Sequence, residues 1–186
     1  MKGMSQQKLK AMNVLSQEFK HLERNPLLNF GITVGLINED DFFHWKGTIM
    51  GPKGTPYHNG LFHLKIDFPD DYPNSRPEII FLTPIYHLNI QCTQNPYQPL
   101  GHTCLNTIIK WQPNDSIIKV LPELFTLLMK NNPESAYDDE VNTRINEFIN
   151  NRELFDKKAK YFTKKYASPF AKLKEYKNGW DFTYQQ

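Results

Sequence analysis

Residues 43–82 read FHWKGTIMGPKGTPYHNGLFHLKIDFPDDYPNSRPEIIFL, and the alternation inside this stretch decides the fold. Phe43, Trp45, Gly47 and Ile49 alternate with polar residues. Leu61, Phe62, Leu64, Ile66 and Phe68 follow a turn-rich segment, and Ile79-Ile80-Phe81-Leu82 make a further apolar run. A period of two marks a strand with one face buried. Working outward, Phe30, Ile32 and Val34 alternate in the same way. The connections carry turn residues: Asn38-Glu39-Asp40-Asp41, Gly51 with Gly54, and His58-Asn59-Gly60. Strands at this spacing with short connections predict a four-stranded antiparallel meander over 28–83. Its apolar face needs a covering helix.

The flanks supply helices. Leu9, Met12, Leu15, Phe19 and Leu22 recur at three- and four-residue steps, so 5–24 reads as an amphipathic helix. Ser5 can cap it, and Asn25-Pro26 ends it. On the other side, 114–166 reads as helices. The first, capped by Asp115 or Ser116, is apolar nearly all round and so buried, with Pro122 near its start. Asn131-Asn132-Pro133 stops it. Val141, Ile145, Phe148 and Ile149, then Leu154, Phe155, Ala159, Phe162 and Tyr166, mark two more, the former with Asp138 and Asp139 at its start. The fold class is α+β: one helix, the sheet, then helices.

Composition narrows the function. A chain of 186 residues without an internal repeat is most simply one domain. A net charge of +2 gives no reason to expect nucleic-acid binding. No apolar run reaches the length of a membrane span, and the first residues hold no apolar signal core. Two cysteines in a chain this long are no disulfide framework, so a reducing compartment, cytosol or nucleus, is expected.

Residues 84–113 hold most of the groups capable of covalent chemistry. Cys104 follows Gly101-His102-Thr103, a turn rather than a core setting. An accessible thiolate is a strong nucleophile, and an asparagine amide such as Asn89 can donate to a developing oxyanion. Cys92, in a polar segment, reads as incidental. His87, Cys92, His102 and Cys104 could be read as zinc ligands, but their spacing fits no common site. A cysteine-protease dyad of Cys104 with His87 or His102 needs contacts that no sequence displays.

With these residues the chain resembles the ubiquitin-conjugating enzymes. His87-Leu88-Asn89, Cys104-Leu105 and Trp111-Gln112-Pro113 match the family's His-Pro-Asn, Cys-Leu and Trp-x-Pro. Phe43-His44-Trp45, Met50-Gly51-Pro52, Pro56-Tyr57, Gly60 and Phe68-Pro69 with Tyr72-Pro73 match upstream. The resemblance covers about residues 5–167, and the motifs are specific together. It implies a catalytic core over 1–167 and an extension over 168–186, whose Phe170, Tyr176, Trp180, Phe182 and Tyr184 either pack back or bind a partner. It implies a thioester carried by Cys104, oxyanion stabilisation by Asn89, and a lysine-orienting gate of Ser135, Asn106 and Tyr137. It implies an activating-enzyme and ligase surface of Lys8, Lys10, Pro73, Asn74, Trp111 and Pro113. The partners implied are ubiquitin or a related modifier, an activating enzyme and a ligase. No metal or organic cofactor is implied, because ATP is used by the activating enzyme. A cis Tyr72-Pro73 bond is also expected.

Three departures stand out. Leu88 replaces the family's proline, which leaves the segment before Asn89 less restrained. Asn89 and Cys104 stand fifteen positions apart, a longer link than usual, with residues 91–100 expected to bulge outward. Arg76 replaces the first proline of a pair. Leu88 and the long link leave a second reading open: an impaired scaffold that binds ubiquitin or ligases without transferring.

Overall fold

The structure is a computed structural model, and it describes residues 4–92, 99–136 and 141–169. Helix α1 (Gln6–Arg24) begins at Ser5, whose hydroxyl accepts the Lys8 amide, and ends at Asn25. Strands β1 (Ile32–Leu36), β2 (His44–Met50), β3 (Leu61–Asp67) and β4 (Glu78–Phe81) follow, then α2 (Asn106–Ile109), α3 (Ile117–Met129), α4 (Val141–Asn150) and α5 (Arg152–Tyr166).

The strands pair antiparallel in the order β1-β2-β3-β4, as the alternation predicts. The register sets Ile49 opposite Phe62, Trp45 opposite Ile66, and Ile66 opposite Ile79. Because side chains alternate, this makes one continuous apolar face. Its opposite face carries polar pairs such as Thr33 and Thr48, whose hydroxyls meet at 2.7 Å. Phe30 and Phe43 lie just outside their strands; Phe30 belongs to a 3-10 turn (Leu28–Phe30) and meets the Phe125 ring edge-on.

Three helices cover the core. Phe19 of α1 packs edge-on against Trp45 at 5.3 Å, and Trp45 itself is fully buried. Helix α3 buries Ile117, Val120, Leu121, Leu124, Leu127 and Leu128, and its N-cap is Ser116. Pro122 stands in the second turn rather than the first, so Ile118 has no i+4 amide to bond its carbonyl. Phe155 and Phe162 of α5 close over Tyr86. The Ala167 carbonyl then accepts the Leu61 amide at 2.7 Å, tying the end of α5 to β3.

Two loops matter for the site. Gly51 abuts Tyr57: a Cβ there would lie 1.7 Å from the Tyr57 carbonyl oxygen, so only glycine fits. Tyr72-Pro73 is cis. The Tyr72 hydroxyl donates to Glu18 and accepts the Ile117 amide, joining α1, this loop and the start of α3. Residues 137–140 and 170–186, with Tyr137, the expected helix start at Asp138-Asp139 and the aromatic extension, lie outside the described residues.

Candidate active site

The site begins with a buried histidine. His87 is fully enclosed; its Nδ1 accepts the Asn89 amide at 3.0 Å, so Nε2 carries the proton and donates to the Leu127 carbonyl at 2.9 Å. Burial disfavours its cation and lowers its pKa to about 4. Both ring nitrogens are spent on backbone, so His87 is a structural pin and no partner for a thiol.

Asn89 follows in a fixed pose. Its Oδ1 accepts the Asn132 amide at 2.8 Å, and its Nδ2 donates to the Asn132 carbonyl at 2.7 Å and to Ser135 Oγ at 3.2 Å. The amide is fully buried and every hydrogen it owns is engaged. One of those bonds, the longer one to Ser135, must be exchanged before Nδ2 can donate elsewhere.

A short antiparallel ladder brings the cysteine to this amide. The Cys104 amide donates to the Asn89 carbonyl at 3.1 Å, Ile90 bridges Thr103, and the Gln91 amide donates to the His102 carbonyl at 2.9 Å. The Gly101 amide closes the end by donating to the Gln91 carbonyl at 2.7 Å. Gly101 has φ +79, and a Cβ there would lie 1.9 Å from the Phe81 carbonyl oxygen. Glycine is therefore required where this ladder crosses β4. Of the 91–100 segment expected to bulge outward, Gln91 and Cys92 are buried and residues 93–98 lie outside the described residues.

Cys104 is half-buried at a cleft of about 520 Å³, whose lining includes Asn89, Asn106, Lys130 and Ser135. Burial pushes its thiol up, and the positive charge of Arg76 partly offsets this. Arg76 also donates to the Ile108 carbonyl at 3.4 Å. Asn106 is exposed at the first position of α2, and the next residue, Thr107, donates its hydroxyl and amide to Glu123 of α3. Glu123 thus holds the turn after the cysteine. Nothing in its sequence context signals that role, since it reads as one polar position on an apolar helix.

Cys92 is different from its sequence reading. It is not in a polar loop but buried at 1% exposure, its one thiol hydrogen within reach of the Ile90 and Ile85 carbonyls at 3.0 and 3.2 Å. Both cysteines are free thiols. Among the described residues no three His, Cys, Asp or Glu side chains are disposed to hold a metal ion, and no helix is long and apolar enough to cross a membrane.

The surface residues fall into two linked pairs and three exposed positions. Lys8 pairs with Asp70 at 2.7 Å, which fastens α1 to the 69–77 loop. Trp111 Nε1 donates to the Pro73 carbonyl at 2.8 Å, and its ring lies against Tyr72. Lys10, Asn74 and Pro113 are exposed.

The family model described as ubiquitin-conjugating enzyme matches residues 14–163. A curated relative, "Probable ubiquitin-conjugating enzyme E2 31" of Arabidopsis thaliana, is 39% identical over 132 residues, 70% of this chain and 79% of that one. A solved structure titled as a putative ubiquitin conjugating enzyme from Plasmodium yoelii is 34% identical. It superposes with a TM-score of 0.70 over 90% of this chain and 99% of its own. Most of the chain thus matches both the family's sequence pattern and a family member's fold, and the chain belongs to the ubiquitin-conjugating enzymes, a family of transferases.

Proposed function

We infer that the chain takes a ubiquitin-type modifier from an activating enzyme as a thioester on Cys104 and passes it to a substrate lysine or a ligase cysteine. The observation that carries this is the contrast between the two thiols. Cys104 stands at a cleft beside Asn89, whereas Cys92 is sealed in the core.

The chemistry takes two steps. In the first, the Cys104 thiolate attacks the carbonyl carbon of the modifier's thioester with the activating enzyme; the tetrahedral oxyanion collapses and expels that enzyme's thiolate. In the second, a neutral lysine amine attacks the Cys104 thioester, the oxyanion collapses with loss of the Cys104 thiolate, and the amine sheds a proton. Amine attack is the harder step, and there a fixed donor is worth most. Asn89 fills that role by releasing its bond to Ser135, whose hydroxyl then turns toward the incoming amine. Asn106 and Tyr137 belong to the same gate. Lys8, Lys10, Pro73, Asn74, Trp111 and Pro113 form the surface for the activating enzyme and ligase. The reading calls for a reducing compartment, cytosol or nucleus, where Cys104 stays a thiol.

Charging tests it. The purified chain is incubated with ATP, a panel of activating enzymes and their modifiers, then run on a non-reducing gel. A band that vanishes with reductant names the modifier. No such band with any pair would refute the reading.

A further inference from the structure

Leu88 stands where proline would need no hydrogen-bond partner. Proline has no amide hydrogen, whereas leucine brings one into a fully buried position. A buried amide left unpaired is costly, so this substitution is tolerated only where the fold supplies an acceptor. The acceptor is Asn131: its Oδ1 receives the Leu88 amide at 3.0 Å. At its other end Asn131 Nδ2 reaches Tyr57 Oη at 3.5 Å, and that hydroxyl is fixed by its own bond to the Tyr86 carbonyl at 2.9 Å. Tyr57 is in turn buried against the His87 ring at 5.4 Å. Asn131 is thus attached on both sides to elements that do not move independently of the core.

The next residue along is the one that matters to the site. Asn132 holds both ends of the Asn89 amide with its backbone. Two adjacent residues of one segment, 88 and 89, are therefore bonded to two adjacent residues of another, 131 and 132. Three hydrogen bonds link them, and the first is the one that proline would abolish. We propose that Asn131 is a positioning residue: its bond to the Leu88 amide replaces the backbone restraint of proline and sets Asn132 at the distance that orients the Asn89 amide. This rests on the thioester-transfer reading of Cys104 and Asn89. It also changes the expectation for the family-like residue. Leu88→Pro does not restore a missing restraint here; it removes the donor that Asn131 needs.

The test uses Asn131→Ala, Asn131→Asp, Leu88→Pro and the Leu88→Pro/Asn131→Ala double variant of the full chain. Formation of the Cys104 thioester and its discharge to free lysine are measured separately. Exchange of the Leu88 amide hydrogen is followed by NMR in the uncharged protein. Asn131→Ala charges within about twofold of wild type and discharges about tenfold slower, the loss expected of one buried hydrogen bond. Its Leu88 amide exchanges at least about tenfold faster. Asn131→Asp, which keeps an acceptor oxygen, recovers both. In the Leu88→Pro background Asn131→Ala adds little, because the bond it breaks is already gone. Should Leu88→Pro fail to fold, the alanine–aspartate contrast decides alone. Wild-type discharge by Asn131→Ala, an unchanged Leu88 exchange rate, or an equal penalty in both backgrounds would each overturn the proposal. If wild type charges with no modifier, the transfer reading fails, while the exchange data still report on the Asn131 bond.

Discussion

At Cys104 two influences oppose each other: burial disfavours the thiolate, and Arg76 favours it. Burial is the larger, so the group is a thiol at neutral pH and its reactivity follows the small ionised fraction. Alkylation of Cys104 by iodoacetamide should rise about tenfold per unit between pH 7 and 8. A flat profile would mean that the thiolate is already formed. Arg76→Ala should slow alkylation a few-fold at pH 7.5, because the favourable charge is removed and the burial remains. Asn89→Ala should charge normally but discharge to lysine about a hundredfold more slowly. An unchanged discharge rate would leave the amide with only its bonds to Asn132 and Ser135. Cys104 and Asn89 could be singled out as candidates from sequence because each sits inside a local pattern. Asn131 could not, since its bond to Leu88 joins positions forty-three residues apart, and such a pairing exists only once the chain is folded.

The ladder between 89–91 and 101–104 makes a prediction about the long link. Gln91 and Gly101 are bonded to each other, so shortening the segment between them should leave both ends in place. Replacing 93–98 by a two-residue Asn-Gly turn should leave charging within about twofold of wild type and the melting temperature unchanged or slightly raised. Lost charging would show that the segment contributes to the site. His87 makes a second test. Its folded pKa, about 4, lies below the ordinary value of 6.5. Above pH 6.5 both folded and unfolded states are neutral there and nothing is lost. As pH falls from 6.5 toward 4, the unfolded chain takes up a proton that the fold refuses, so stability declines, by roughly 3 kcal/mol over that window. NMR should find the His87 ring neutral at pH 5; titration near 6.5 would contradict its enclosure. The strands were legible because their period is two and their register follows from one buried face. Helix α2 was not, because four residues show no period.

For the molecule as a whole, α1, the sheet, α3 and α5 share one core, and α5 is tied back to β3 through Ala167. A truncation should therefore keep Ala167. Deleting 170–186 removes Phe170, Tyr176, Trp180, Phe182 and Tyr184. If these pack on the domain, melting should fall by several degrees, since each large side chain buried is worth about 1.5–3 kcal/mol. An unchanged midpoint would assign them to a partner. The central claim is narrower: one of the two cysteines carries the modifier, and it is the one at the cleft. Intact-mass measurement after charging decides it on wild type, Cys92→Ala and Cys104→Ala. The first two should gain the mass of one modifier less one water, removable by reductant, and Cys104→Ala should gain nothing. A reducible adduct on Cys104→Ala, or its loss from a folded Cys92→Ala, would contradict the account.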